Sequence, residues 1–176
     1  MAAASVQAAP APADPWRVCR QAISAAEQAE RLPRHLLAAI ALVESGRPSE
    51  ASGTVPWPWT ITAEGRGRFL ASKADAVSAV QELRERDVRN IDVGCMQVNM
   101  HYHPRAFADL DAAFDPAANA GYAARHLRAL FRQAGSWPSA VSLYHNGKFH
   151  MNRQYRIRVM KVWSQLRGRP SPASSG

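Results

Sequence analysis

The stretch LLAAIALVESGR, residues 36–47, decides how the rest of the chain is interpreted. Eight apolar residues run without a break into Glu44, and Ser45 and Gly46 follow directly. A helix that is apolar on nearly all sides belongs in the centre of a domain. Glycine is typical of a helix end, so the pattern predicts a buried helix over 34–44. Glu44 is then either the first solvated residue after that helix or a carboxyl held at the edge of a dry core.

Helical patterns account for most of the remaining sequence. Apolar residues recur at helical spacing, and a capping residue followed by proline marks a helix start at Asp115-Pro116. Residues 59–62 look like a short strand, and 90–99 is β-like before it turns at Gly94. The sequence therefore predicts a mainly α domain with a small β patch. Besides 34–44, the predicted helices are 16–31, 73–86, 116–133, 136–145 and 152–166.

The ends of the chain differ from its middle in composition. Residues 1–15 and 167–176 are rich in Ala, Pro and Ser and have little apolar surface to bury, so we expect two disordered tails around one folded domain, 16–166. The net charge of +8 suits a polyanionic partner, but apart from 153–161 the basic residues are scattered. We therefore expect no dedicated nucleic-acid surface. No apolar run is long enough to span a bilayer, so no transmembrane segment is predicted.

Two observations bear on the compartment. The N-terminus lacks the basic and apolar regions of a signal peptide, although residues 2–11, AAASVQAAPA, resemble the small-residue sequence around a cleavage site. Cys19 and Cys95 are the two cysteines of the chain, and from spacing alone they are either two buried thiols or one disulfide.

Four short segments end or interrupt the predicted elements, which is where functional groups are commonly displayed. In chain order they are VESGR (43–47), PWPWTI (56–61), DVGCMQVN (92–99) and SLYHNG (142–147). Together they resemble the lytic transglycosylases, the lysozyme-like enzymes that cut bacterial peptidoglycan. The order and spacing agree over residues 30–150. The residues that carry the resemblance are Glu44-Ser45, Gly94-Cys95-Met96-Gln97, Asn119, and Ala140 to Gly147 with Tyr144.

The resemblance extends to one branch of the family, and the chain differs from the family pattern at two positions. Residues 56–61 and 92–97 look most like the branch that serves flagellum or secretion-apparatus assembly. Ala123 stands where the family usually has glycine, which looks like a packing change. His145 stands where an asparagine commonly follows the motif tyrosine, a position that could alter substrate contacts near the cleavage point.

The resemblance implies a lysozyme-like, mainly α domain with the β patch beside an active-site cleft. It also implies that Glu44 acts alone, first as acid and then as base, while the muramoyl 6-hydroxyl closes onto C1 to give a 1,6-anhydro sugar without water. The local chemistry agrees, because a general acid must keep its proton near neutral pH. Apolar neighbours and the carbonyls of a helix C-terminus both disfavour a carboxylate at that position.

Residues near the four segments are candidate contacts to the sugars. Gln97 and Asn99 carry amides that could bind acetamido groups, or could instead cap or bridge the β patch. Tyr144 could steady the carboxyl or the substrate, or be a core tyrosine. Trp57 and Trp59 could stack on sugar faces or cover the core. The predicted substrate contacts are Ser45, which could also orient the catalytic carboxyl, Trp59, Gln97, Asn99, Tyr144 and His145.

Other functions stay open. If Asp92 is positioned as a base or nucleophile, the enzyme would be a hydrolytic muramidase. A wall-binding assembly protein with little activity would keep the fold, and a nucleic-acid-binding domain would show a steep salt dependence on DNA. No cofactor is implied. The histidines of 101–103 lack the spacing of a helical ligand pair, so no metal site is predicted.

The resemblance also implies action outside the cytoplasm, and we expect a periplasmic protein. The substrate would be peptidoglycan glycan strands, whose peptide stems carry carboxylates that a basic protein attracts. A flagellar rod or secretion-apparatus protein is a candidate recruiting partner. In an oxidising compartment Cys19 and Cys95 would be expected to pair, which would tie the first helix to the Gly-Cys-Met-Gln segment.

Overall fold

The computed structural model describes residues 14–146 and 153–168, and over these residues the fold is mainly α, as predicted. The predicted tails, 1–15 and 167–176, lie almost wholly outside the described residues, so their disorder stays a prediction. The helices are α1 (Pro15–Ala29), α2 (Leu36–Ser45), α3 (Lys73–Glu85), α4 (Leu110–Ala113), α5 (Pro116–Ala134), α6 (Trp137–Asn146) and α7 (Arg153–Arg167). The strands are β1 (Gly46–Ser49), β2 (Gly53–Pro56), β3 (Thr60–Ala63), β4 (Arg66–Phe69), β5 (Ile91–Val93) and β6 (Val98–Asn99).

Local capping explains where several helices begin. Asp14, Ser72 and Asp115 precede α1, α3 and α5, and each side chain accepts a hydrogen bond from a backbone N–H of the first turn. Helix α5 ends at Gly135, whose positive φ of 72° places it in the left-handed region that glycine adopts without strain. These boundaries were readable from the sequence because each depends on residues close together in the chain.

Helix α2 is the buried centre of the domain, as its composition predicted. Leu36, Leu37 and Ile40 are fully buried, and the helix packs between α1 and α7. It begins two residues later than predicted, because His35 adopts a left-handed conformation with φ of 66°. Truncating any of these buried side chains to alanine would cost about 2–5 kcal/mol.

The N-terminus of α2 is capped by a side chain from another helix. Glu27 of α1 is buried, and its two carboxylate oxygens accept hydrogen bonds from the backbone N–H groups of His35, at 3.0 Å, and Ala38, at 3.1 Å. Burial raises the pKa of the Glu27 carboxyl, and the same backbone hydrogen bonds oppose part of that rise. No local signal marks this cap, because Glu27 lies on the preceding helix.

The β region consists of a β1–β2 hairpin and a four-stranded antiparallel sheet in the order β4-β3-β5-β6. In that sheet Asp92 is in register with both Thr62 and Asn99, so these three residues share one face. Ile61 and Val93 share the other face and pack in a second apolar cluster with α3. Strands β1, β2 and β4 were not predicted, because their short sequences, with Pro, Gly and Arg, lack the alternation of a half-buried strand.

Cys19 and Cys95 form a disulfide, as the resemblance implied. The bridge joins α1 to the segment between β5 and β6 and closes a loop with a sequence separation of 76. In the chain-entropy description a loop of that length stabilises the fold by about 4 kcal/mol.

Candidate active site

Glu44 lies in the last turn of α2, and 14% of its side chain is exposed. The neighbouring Ser45 is buried, and its hydroxyl lies 2.6 Å from the carbonyl oxygen of Cys95, to which it donates a hydrogen bond, and 3.2 Å from that of Ala41. The bond to Cys95 fastens the C-terminal end of α2 to the Gly-Cys-Met-Gln segment. The structure does not support the expected sugar contact for Ser45, because the side chain has almost no exposed surface.

Asn119 of α5 holds the Gly-Cys-Met-Gln segment in place through hydrogen bonds. The Asn119 side chain is fully buried; its oxygen accepts from the backbone N–H of Met96 at 2.9 Å, and its nitrogen donates to the carbonyls of Val93 and Ala113. Gly94 has a φ of 81°, and a Cβ there would collide with the Asn119 side chain. The motif asparagine and the motif glycine therefore fit one another sterically and fix the shape of this segment.

Gln97 bridges the β patch, which was the alternative to a sugar contact. Its side-chain oxygen accepts from the hydroxyl of Thr62 at 2.6 Å, and its nitrogen donates to the carbonyls of Thr60 and Gly94, both at 3.1 Å. The side chain is almost fully buried, and its backbone has a positive φ of 48°. These bonds stabilise an otherwise disfavoured turn, so the amide is committed within the protein.

Asn99 holds Asp92 in place. Its side-chain nitrogen donates to Asp92 at 2.7 Å and to Asn90 at 2.6 Å, and its oxygen accepts from the backbone N–H groups of His101 and Tyr102. All of its amide groups are thus engaged internally, which favours the bridging role over a direct sugar contact.

Asp92 lies near enough to Glu44 for the two charges to interact. Burial is the largest cause that raises the pKa of Asp92, and the negative charge of Glu44 raises it further, whereas the hydrogen bond from Asn99 lowers it. The Asp92 carboxyl therefore keeps its proton to a higher pH than a carboxyl in water does. Once it is ionised, its charge can balance that of a nearby cation.

Two tyrosine hydroxyls approach the C-terminal end of α2, where Glu44 lies. Tyr144 donates to the carbonyl of Met96 at 3.1 Å, so it supports the segment rather than pointing freely at a substrate. Tyr155, on α7, is buried, and among the described residues its hydroxyl has no hydrogen-bond partner within bonding distance. Burial raises the pKa of both tyrosines well above the usual value, and the charge of Glu44 adds to the rise. Both hydroxyls therefore keep their protons.

Tyr155 was missed from the sequence because helical spacing in 152–166 equally allows Ile157, Met160 and Trp163 on the inward face. In the structure Ile157 is 47% exposed, Trp163 is only partly buried, and the buried residues are Tyr155 and Val159. Their i, i+4 spacing was the available signal. The periodicity allowed either face, and packing against α2 and α6 decided between them.

Among the predicted substrate contacts, His145 lies beside the Glu44 carboxyl. Its Nδ1 is 3.6 Å from Oε1 of Glu44, and its ring stacks on that of Tyr155 with centroids 4.5 Å apart and planes 12° from parallel. The close approach of the Glu44 carboxylate is the largest cause that raises the pKa of His145, and burial opposes it.

The two tryptophans of the PWPWTI segment differ in exposure. Trp57 is buried, its ring nitrogen donates to the carbonyl of Leu70 at 2.8 Å, and Arg47 lies over its ring at 4.2 Å, so it covers the core. Trp59 is partly buried and meets Trp57 edge to face at 5.4 Å. Its contact with a sugar stays a prediction, as does any role of Gly147, which lies outside the described residues.

Neither a metal-binding cluster nor a membrane-spanning helix is present in residues 14–146 and 153–168. This part of the chain contains no cluster of three or more His, Cys, Asp or Glu side chains placed to hold a metal ion. It also contains no helix that is both long and apolar enough to cross a membrane.

The site thus places one largely buried glutamate at a helix end, with a histidine, an aspartate and a protonated tyrosine around it, in the arrangement of a general acid rather than of a nucleophile with its base. Comparison with known proteins agrees with this chemistry. The family model described as "Transglycosylase SLT domain" matches residues 21–161, which include every motif residue of the site. Comparison with curated proteins and with solved structures found no match. The chain therefore belongs to the transglycosylase SLT domain family: it has that family's lysozyme-like fold and is a lytic transglycosylase that acts on peptidoglycan outside the cytoplasm.

Proposed function

We propose that this lytic transglycosylase cleaves the β-1,4 bond between MurNAc and GlcNAc without water and releases 1,6-anhydromuramoyl products, with Glu44 as the sole acid and base. The observation that carries the proposal is the position of Glu44, 14% exposed at the end of a buried helix. Water has little access to the carboxyl there. A carboxylate formed at that end also faces the negative end of the helix dipole, which favours rapid return of the proton.

The reaction needs a single proton that leaves Glu44 and returns to it. The carboxyl protonates the glycosidic oxygen as the bond to C1 breaks, and positive charge develops at C1. The resulting carboxylate then accepts the proton of the muramoyl 6-hydroxyl as that oxygen bonds to C1. Tyr155 keeps its proton throughout, since its pKa is raised, and its hydroxyl can donate to the transient carboxylate. Asp92 can balance the charge at C1.

The remaining predicted residues divide by what their side chains already bind. Ser45, Gln97 and Asn99 are committed to hydrogen bonds within the protein, so we assign them to holding the cleft in shape. Trp59 keeps exposed ring surface, and we propose it as a contact to the glycan. His145 also keeps exposed ring surface, but its Nδ1 faces the Glu44 carboxyl.

A hydrolytic muramidase remains the second candidate, because Asp92 lies close to Glu44. If Asp92 oriented a water molecule, the product would gain that water at C1. The hydrogen bond from Asn99 fixes the orientation of the Asp92 carboxyl and favours its charged form, which suits charge balance at C1 better than activation of water.

We further propose that the protein works in the periplasm, where it opens the wall locally during assembly of a flagellum or a secretion apparatus. Support comes from the Cys19–Cys95 bridge, which suits an oxidising compartment, and from the likeness of residues 56–61 and 92–97 to that branch. The net charge of +8 would favour association with the carboxylates of peptide stems.

Mass spectrometry of the sugars released from purified peptidoglycan tests the reaction. The wild type should release anhydromuropeptides, and Glu44→Gln should release none. Asp92→Asn separates the two candidate reactions: transglycosylation should be weakened but persist, because Glu44 remains and only the charge opposite C1 is removed, whereas a muramidase would be inactivated. Products heavier by one water from the wild type would contradict the proposal and establish the hydrolytic reaction.

A further inference from the structure

We propose that His145 is a positioning residue for Glu44. The imidazolium of His145 stabilises the Glu44 carboxylate that remains after the proton has passed to the glycosidic oxygen. The proposal rests on the proposed function, because it concerns the same acid-base step. It concerns a position at which this chain departs from the family, which commonly has a neutral asparagine there.

The structure holds the His145 ring so that its Nδ1 faces the Glu44 carboxyl. Nδ1 lies 3.6 Å from Oε1 of Glu44, which is within ion-pair range and slightly beyond a hydrogen bond. The ring cannot swing away freely, because one face lies on the buried ring of Tyr155, 4.5 Å away and nearly parallel. His145 also lies in the last turn of α6, where the helix carbonyls favour a cation. Stacking and helix end together present the protonated nitrogen to the carboxyl.

Charged groups from three other elements bear on His145. Glu44 of α2 contributes most to raising its pKa, and Asp92 of β5 adds to the rise. From α7, Arg158 lowers it, while Tyr155 supplies the stacked ring and keeps its own proton. The balance is in favour of the imidazolium, so His145 keeps its proton to a higher pH than a histidine in water. A protonated ring can thus face Glu44 up to a higher pH than an ordinary histidine would allow.

The proton balance leaves His145 unchanged over the cycle. The proton that Glu44 gives to the leaving oxygen is replaced by that of the 6-hydroxyl, and the imidazolium only faces the carboxylate in between. In a largely buried site that carboxylate has little water around it, so a cation 3.6 Å away stabilises it far more than a neutral amide would. This stabilisation of the Glu44 carboxylate is lost as the pH rises through the pKa of His145, because the ring then loses its charge.

The first test is the pH profile of kcat for the wild type and His145→Asn, measured by release of muropeptides between about pH 4.5 and 8.5, a window around the ordinary pKa of histidine. At the acidic end kcat should fall roughly tenfold, the factor that one pKa unit of interaction represents, with KM nearly unchanged. The deficit should shrink as the pH rises.

A matched control is His101→Asn, because His101 is exposed and neither its ring nor its charge contacts Glu44. It should leave the profile of the wild type unchanged. If His145→Asn lowers kcat by the same factor at every pH, or leaves it unaltered, the positioning role is refuted, and stacking on Tyr155 would be the only contribution of the ring.

The second test does not depend on activity. The imidazole of His145 is titrated by NMR in the full chain and in Glu44→Gln, and we expect a lower midpoint in the variant because the carboxylate partner is gone. An unchanged midpoint overturns the proposal even if the wild type cleaves glycan. A lowered midpoint in a protein that cleaves no glycan would instead count against the proposed function and leave the Glu44–His145 pair intact.

Discussion

A glutamate side chain lies at each end of helix α2, Glu27 of α1 at the N-terminus and Glu44 of α2 itself at the C-terminus, and the two are used in opposite ways. At the N-terminus Glu27 is buried, and both oxygens accept backbone hydrogen bonds from a helix end that favours negative charge. At the C-terminus Glu44 faces carbonyls that disfavour the charge, with His145 3.6 Å away. The same side chain is therefore a structural cap where the backbone supplies donors and, in the proposed reaction, a proton donor where it does not. Position on the helix, more than residue type, would then separate a stabilising role from a catalytic one.

The largest expected effect is on activity, at the C-terminal glutamate. Glu44→Ala should lower kcat by about 10³-fold or more, because the general acid is removed. Its free energy of unfolding should change by less than about 0.5 kcal/mol, since the carboxyl makes no capping bond. Product release by mass spectrometry and chemical denaturation measure the two. A clear loss of stability would mean that Glu44 also has a structural role, and the contrast with Glu27 would fail.

The next effect concerns α1, which holds both ends of α2: Glu27 at one and the Cys19–Cys95 bridge beside the other. Replacing both cysteines by alanine should lower the free energy of unfolding by about 4 kcal/mol. Denaturant titration with and without reductant measures this, and the double variant should no longer respond to reductant. A loss below about 1 kcal/mol would indicate that the reduced unfolded chain keeps residual structure.

Glu27→Ala is the matched partner of Glu44→Ala. It should cost about 2 kcal/mol of stability at pH 4.5, because the N–H groups of His35 and Ala38 lose their acceptors, and leave kcat of the folded protein unchanged. Burial raises the pKa of Glu27, so the folded protein binds this proton more tightly than the unfolded chain. Its stabilising contribution is therefore greatest below the unfolded pKa and falls as the pH rises through the folded one.

Stability measured at pH 4.5 and pH 7 checks that sign. The difference between wild type and Glu27→Ala should be smaller at pH 7. A larger difference at pH 7 would show that the ionised carboxylate is the better cap, and that the backbone donors outweigh burial.

The smallest effect is expected at Tyr155. Tyr155→Phe should lower kcat roughly tenfold, by about 1.4 kcal/mol of lost stabilisation of the Glu44 carboxylate, and leave KM nearly unchanged. Stability should not fall, because among the described residues the hydroxyl makes no hydrogen bond. An unchanged kcat would remove Tyr155 from the catalytic step and leave it as the support on which His145 stacks.

What could be predicted from the sequence depended on local interactions. The buried helix α2, the caps at Ser72 and Asp115, and the place of Glu44 follow from residues that are neighbours in the chain. The cap supplied by Glu27 could not be predicted, because it crosses between two helices. Tyr155 was missed for the same reason, since docking of α7 chose between two faces that periodicity left open.

The amides were the instructive part of the site. Gln97 and Asn99 were expected to bind sugars, yet each is engaged within the protein. A segment that turns away from regular strand pairing leaves backbone groups unpaired, and side-chain amides are the residues that can pair with them. A motif amide a few residues after a glycine with positive φ therefore indicates such a turn as readily as it indicates a ligand contact.

The bridge between Cys19 and Cys95 also has a consequence for maturation. About 4 kcal/mol corresponds to roughly a thousandfold change in the ratio of folded to unfolded chains. The bridged Cys95 precedes Met96, whose backbone is held by Asn119 and Tyr144 beside the cleft. A newly made chain that is still reduced would thus open more often and be more exposed to proteases than the oxidised enzyme, so that its survival and its ability to cut the wall would be acquired in the same oxidation step.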